Sequence, residues 1–336
     1  MSGSAMTRRA TAAGLLALSG CATPVVQRAG APGVGFGGPV LDDDSFIAAD
    51  GVRLPMTVWA AEGEPKAVIV GVHGMNDYAR AFHLAAPWWA SRGITTYAYD
   101  QRGFGRAPQR GLWAGPELMA EDLRTLTALA RARHPHSLIT VLGHSMGGAV
   151  AIAAFASQRP PEAHRLILAA PGVWGWSRQA LPNRLALWTA AHIMPGRALG
   201  TPDWLARRIR ASDNIEVLME MGRDPNMIFR TRIDAIYGLV ELMQLADRNI
   251  GRITAPLLYL YGAKDQIIPE KAAFHAAAKL KPADRSAYYP DGWHLLTRDL
   301  QGPKVWADIE AYILDPDRPL PSGVPAVPGA PTQAGA

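Results

Sequence analysis

One run of eleven residues constrains this chain more than any other: Leu138-Ile139-Thr140-Val141-Leu142-Gly143-His144-Ser145-Met146-Gly147-Gly148. It reads as a short buried strand, a tight turn and the start of an Ala-rich helix reaching about Gln158. Its centre is G-x-S-x-G, a pattern with a mechanical reason. A serine at the tip of a strained strand-to-helix turn needs small neighbours two residues before and two after, so that the backbone can bend and still pack on the sheet. Gly143 and Gly147 supply them. The helix that follows aims its N-terminal amides, and the positive end of its dipole, at any negative charge developing beside Ser145.

The rest of the chain alternates as a sheet covered by helices would. Apolar strands are expected at Lys66 to Val72, Ile94 to Tyr99, Leu138 to Leu142, Arg165 to Ala170, Leu257 to Tyr261 and Arg285 to Tyr289. Helical periodicity fills Ala79 to Arg92 and Pro116 to Arg133, the second opened by a proline. Near-continuous apolar strands separated by helices imply a mostly parallel sheet buried on both faces. Before it, Asp50-Gly51 between two alternating segments signals a hairpin, and the folded domain is expected to begin at residue 45.

One section breaks the alternation. Residues 172–252 contain no strand candidate but are rich in Trp, Leu and Met, which suggests a helical cap inserted between core segments 45–171 and 253–315, over the carboxyl edge of the sheet. Trp174, Trp176 and Trp188 are candidates to line a substrate pocket there, and Arg207, Arg208 and Arg210 form the cap's dense basic cluster. The Pro, Gly and Ala stretch 316–336 is expected to be disordered.

Arg8 and Arg9, an apolar run from Ala10 to Leu18, and Leu18-Ser19-Gly20-Cys21 resemble a bacterial lipoprotein signal, so residues 1–21 are read as a signal peptide ending in a lipid-modified Cys21. Cys21 is the single cysteine in 336 residues, so no disulfide can form within the chain. Residues 22–44 then suit a flexible linker to a lipid-anchored domain on the periplasm-facing leaflet of the cell envelope. Gly33 to Gly38 spell G-x-G-x-x-G, but no strand precedes them and no helix follows, so a dinucleotide site is set aside. The formal charge of +5 comes with only 19% charged residues and no dense basic stripe or aromatic platform, which argues against nucleic-acid binding.

A serine hydroxyl is a poor nucleophile at neutral pH and needs a base within reach and an acid to orient that base. Asp265 stands just past an apolar strand and His294 lies in the loop after the last one, giving the chain order Ser145, Asp265, His294. Asp291, close to His294 in sequence, is the competing acid, while His144 is read as structural and His275 as a surface residue.

Taken together, Val72-His73-Gly74-Met75, Asp100-Gln101-Arg102-Gly103-Phe104-Gly105, Gly143 to Gly148, Gly262-Ala263-Lys264-Asp265 and the His294 loop resemble the α/β-hydrolase superfamily. Within it they are most similar to the monoacylglycerol lipase and lysophospholipase group, which includes serine aminopeptidase-like sequences. The resemblance implies an eight-stranded, mostly parallel sheet with an inserted cap. It also implies a Ser145, Asp265, His294 triad and an oxyanion hole formed by the backbone amides of Met75 and Met146. The family usually carries a serine where this chain has Ala107. The expected activity is hydrolysis of single-chain lipid esters through an acyl-enzyme, with no metal or organic cofactor. Amide or peptide hydrolysis is the alternative; it would need cap carboxylates for a free amine, with Glu216, Glu220 and Glu241 as candidates. A non-catalytic binding protein on the same fold is disfavoured by the intact triad positions.

Overall fold

The computed structural model describes residues 23–331, apart from 203 and 205–207. Its centre is a nine-stranded sheet in the order β1-β2-β3-β5-β4-β6-β7-β10-β11. Strands β4 (Ala67–Val72), β5 (Ile94–Tyr99), β6 (Leu138–His144), β7 (Arg165–Ala169), β10 (Leu257–Gly262) and β11 (Arg285–Tyr289) run parallel, while β1 (Val40–Leu41), β2 (Ser45–Ile47) and β3 (Arg53–Trp59) extend one side antiparallel. Every residue of β4, β5 and β10 is buried, which is why these segments are apolar without alternation.

The helices form two layers. On one face pack α2 (Pro116–Arg133) and α3 (Met146–Phe155); on the other lie a 3-10 turn at Ala79–Phe82, α1 (Ala85–Ala90) and a C-terminal helix at Gly302–Leu314. The single helix expected over Ala79 to Arg92 is thus two short pieces. Pro87, with no N–H to donate, sits in the first turn of α1, where none is needed.

Four expectations are corrected. The sheet gains a ninth strand, because Val40 and Leu41 pair with Ile47 and Phe46 at its edge. Those residues fall in the expected linker 22–44, whose earlier part is also docked: Val26 bridges to Trp113, and Gln27 donates to the carbonyls of Trp113 and Leu112 at 2.8 and 2.7 Å.

The insertion 172–252 holds α4 (Leu181–Ile193), α5 (Ile215–Arg223) and α6 (Ile233–Asn249), but also a two-stranded antiparallel ribbon, β8 (Ala198–Gly200) with β9 (Arg230–Arg232). Moreover α6 belongs to the helical layer and not to a cap: it packs along α3 and buries Ala235, Val240, Leu242 and Ala246 in the main core. Its apolar stripe is core spacing, so the cap proper ends near residue 232.

Finally, the stretch after Asp315 is not free through Pro331. Tyr288 N–H donates to the Pro325 carbonyl at 2.8 Å, Val327 N–H donates to Ser286 Oγ at 3.0 Å, and the Val327 side chain is buried. This segment covers the outer edge of β11. A proline-rich segment can still accept from an open edge while offering few donors of its own.

Candidate active site

Ser145 joins the end of β6 to the start of α3 with φ 52° and ψ −118°, a left-handed conformation that side chains other than glycine rarely adopt. The two glycines of the motif are enforced by contact. A Cβ on Gly143 would lie 2.6 Å from the Gly147 carbonyl oxygen, and one on Gly147 would lie 2.1 Å from that of Val72. The strained turn is held on both sides, by Ser145 N–H donating to Ala169 O at 3.1 Å and Gly172 N–H donating to Ser145 O at 2.8 Å. The serine side is left partly exposed.

Across the sheet edge, His294 Nδ1 stands 2.8 Å from Asp265 Oδ2, and both side chains are buried. As Nδ1–H donates to the carboxylate, Nε2 is left with its lone pair. The other carboxylate oxygen of Asp265 accepts from Ile267 N–H and Ile268 N–H at 2.7 and 3.0 Å, so the acid is itself fixed. A Cβ on Gly262 would meet the backbone of Gly292 at 2.5 Å; this close approach lets the two loops meet. Asp291 points elsewhere: it is exposed and pairs with Lys264 at 2.6 Å, whose ammonium holds its carboxyl below the ordinary carboxylate value. Geometry therefore puts Asp265 and not Asp291 on His294. No described hydrogen bond joins Ser145 Oγ to His294, a contact that often closes only around substrate.

The loop after β4 comes in from the third side, with Gly74 close enough that a Cβ there would be 3.3 Å from Ser145 Cβ. Neither Met75 N–H nor Met146 N–H donates a hydrogen bond among the described residues. The loop is pinned by His73, whose Nδ1–H donates to Gly74 O at 2.7 Å while Nε2 accepts from Gln101 N–H at 2.9 Å. Gln101 Nε2 then donates to His73 O at 2.8 Å.

The motif from Asp100 to Gly105 is thus scaffolding, a role that reading along the chain missed. Asp100 accepts from Ala79 N–H and binds Arg106; the buried Arg102 grips Asp50 of the hairpin and Asp122 of α2 through four hydrogen bonds. That two carboxylates flank it keeps Arg102 charged. Nothing along the chain singled out these partners: the acid nearest Arg102 in sequence, Asp100, pairs with Arg106 instead, while Asp50 and Asp122 are 52 and 20 residues away.

The cap residues are more dispersed. Trp174 packs against the core and donates to Arg178 O, whereas Trp176 and Trp188 line a groove of about 270 Å³ between α4 and α6, with Leu181, Leu185 and Tyr237. Trp176 also donates to Glu241, and Glu220 pairs with Arg80 at 2.8 Å, so two of the three carboxylates considered for an amine already have partners; Glu216 is exposed. Arg208 and Arg210 are exposed, while Arg207 and Cys21 lie outside the described residues. His275 sits in a helix at Glu270–Ala277, 3.8 Å from Asp247, away from this cluster.

The chain is similar to known proteins along most of its length. The family described as serine aminopeptidase, S33 matches residues 63–301. The monoacylglycerol lipase of Mycolicibacterium smegmatis is 28% identical over 81% of this chain and 96% of its own length. Human monoglyceride lipase is 26% identical over 78% and 86% respectively. Among solved structures, the monoacylglycerol lipase of Paleococcus ferrophilus shares the fold with a TM-score of 0.65 at 20% identity, covering 78% of this chain and 98% of that one. A soluble variant of monoglyceride lipase from Saccharomyces cerevisiae does so with a TM-score of 0.66 at 16% identity, covering 87% and 97%. With a matched segment that runs from just before β4 past His294, the chain belongs to the serine aminopeptidase S33 family of α/β-hydrolases and is a hydrolase of lipase or esterase type.

Proposed function

We propose that the protein hydrolyses carboxylic esters of single-chain lipids, of monoacylglycerol or lysophospholipid type, through an acyl-enzyme on Ser145. The observation that carries this reading is the His294–Asp265 hydrogen bond of 2.8 Å beside a serine held at positive φ. His294 Nε2 takes the proton from Ser145 Oγ as that oxygen attacks the ester carbonyl carbon. The tetrahedral oxyanion is received by the free amides of Met75 and Met146, each such donor contributing about 3 to 4 kcal/mol to lowering the barrier. His294 then gives its proton to the departing alcohol oxygen as the carbon–oxygen bond breaks. Water, deprotonated by the same imidazole, attacks the acyl-enzyme, and the acid leaves as Ser145 recovers its proton. Asp265 keeps the imidazole in the Nδ1–H tautomer and stabilises its charged form throughout. The names carried by the relatives support a lipid substrate, as do the apolar side chains concentrated in the cap.

A fluorophosphonate probe tests the mechanism: it should label the wild type and leave Ser145→Ala unlabelled, and equal labelling would overturn the assignment. A series of p-nitrophenyl esters from acetyl to palmitoyl tests the substrate. Each methylene buried adds roughly 0.8 kcal/mol, so kcat/KM should climb by orders of magnitude towards medium or long chains. A maximum at acetyl would remove the lipid reading.

The same proposal includes a membrane anchor: cleavage before Cys21 and acylation of its thiol would hold the protein at a periplasm-facing leaflet. Several acyl chains give stable anchoring where a single one is marginal. Expressed in a bacterium, Cys21→Ser should move to the soluble fraction, and a wild type already soluble would refute the anchor.

A further inference from the structure

His144 lies beside Ser145 but outside the triad, and its surroundings are not those of a packing residue. Its ring is buried, and Nε2 is 3.0 Å from the backbone oxygen of His294, 150 residues on. A carbonyl can only accept, so Nε2 carries the proton. Nδ1 is then a bare acceptor, and it makes no hydrogen bond; it faces the oxyanion loop, where a Cβ on Gly74 would come within 3.1 Å of it. An apolar side chain would fill this space without leaving a buried lone pair unpartnered, which ordinarily costs stability. The imidazole stands here despite that cost.

The topology shows what it offers in return. β6, which delivers Ser145, is separated from β11, which delivers the His294 loop, by β7 and β10, so no backbone ladder joins them. The neighbours of His294 are tied to other places: Trp293 N–H donates to Asp299 and Leu295 N–H donates to Ala211 O. Among the described residues, the bond from His144 is the direct hydrogen bond between the elbow and the residue that must meet its serine. The two rings are 4.9 Å apart and tilted by 55°, so a charged His144 would repel the imidazolium that His294 becomes. Burial, the His294 ring and the Arg298 guanidinium push its pKa down to about 3, which keeps it neutral.

We infer that His144 is a positioning residue, setting where the His294 imidazole stands relative to Ser145 by hydrogen-bonding the backbone carbonyl of His294. This rests on the esterase reading of Ser145 and His294 given above.

Two polar variants of similar burial separate positioning from packing. In His144→Gln the side-chain amide nitrogen reaches where Nε2 was; in His144→Asn it reaches only as far as Nδ1. On a soluble p-nitrophenyl ester, His144→Asn should lower kcat about 100-fold with KM within about twofold, while His144→Gln stays within about fivefold of wild type. The far-downfield NMR resonance of the proton shared by His294 Nδ1 and Asp265 should persist in the Gln variant and broaden or vanish in the Asn variant. Equal kcat losses in both, or an Asn variant that behaves as wild type, would overturn the inference. If the wild type neither turns over esters nor labels with fluorophosphonate, the esterase reading fails, and the NMR comparison alone decides whether His144 places His294.

Discussion

The two halves of the cap are built on different physics. The half from about residue 211 to 232 is fastened to the machinery by polar contacts. Ser212 donates to Asp299, Asn214 donates to Arg298 O, Ile228 N–H donates to Asn76 O, and Tyr78 donates to Asp224 at 2.6 Å. Beneath it lies the buried pair of Asp77 and Arg298, 2.5 Å apart, which joins the loop of Met75 to the loop of His294. The half from residue 181 to 200 has few such ties. Only Ala191 of α4 is buried, and Leu181, Leu185, Trp188 and Ile193 are more than half exposed. Polar contacts of fixed geometry hold a position, whereas loosely packed apolar side chains can adapt to a ligand. One half of the cap is thus fixed by polar contacts to the loops of Met75 and His294, and the other exposes an apolar surface.

The sharpest way to break this contrast is at the Asp77–Arg298 pair. Removing one partner of a buried ion pair leaves a lone charge inside, so Asp77→Asn should cost about 3 to 5 kcal/mol in urea unfolding. Its pH dependence carries a sign. Burial works to raise the Asp77 pKa, but the Arg298 guanidinium and the His73 ring outweigh it and leave the folded value below the ordinary one. The pair's contribution is therefore complete above the ordinary carboxylate pKa and is lost as pH falls through the depressed folded value. The wild type should lose stability steeply in acid, and the Asn variant should show a flatter profile there; matching profiles would place the acid sensitivity elsewhere.

A smaller effect is expected at Asn214, whose Oδ1 caps α5 by accepting from Val217 N–H at 3.3 Å. Asn214→Ala should lower stability by about 1 to 2 kcal/mol, read as a shift in the thermal midpoint. The smallest change in stability belongs to the outer half: Trp188→Ala should stay within about 0.5 kcal/mol of wild type. It should nevertheless reduce kcat/KM for long acyl esters while leaving acetyl esters nearly unchanged. A loss of stability at Trp188 matching that at Asn214 would erase the distinction between the two halves.

Much of the site was legible along the chain because its parts are local. The elbow needs its two glycines within five residues, and both the acid and the base sit just past strands whose apolar runs mark them. Asp291 could not be excluded by position; its pairing with Lys264 became visible only in the folded loop. His144 was read as structural because successive side chains on a tight turn diverge. The turn does send it away from the serine, but towards the carbonyl of His294.

What the sequence by itself determined is the repeating part of the architecture: burial on both faces demands unbroken apolar strands, and a strained turn demands glycine, so each leaves a mark within a few residues. Tertiary structure decided whatever depends on partners distant in the chain. It recruited α6 into the core, laid Val26 and Gln27 on the loop of Trp113, and turned a Pro- and Gly-rich tail into cover for β11. It also assembled Arg102 with Asp50 and Asp122. Composition describes what a segment would do alone in water, whereas docking depends on an edge, a groove or a buried charge that exists only once the rest of the chain has folded.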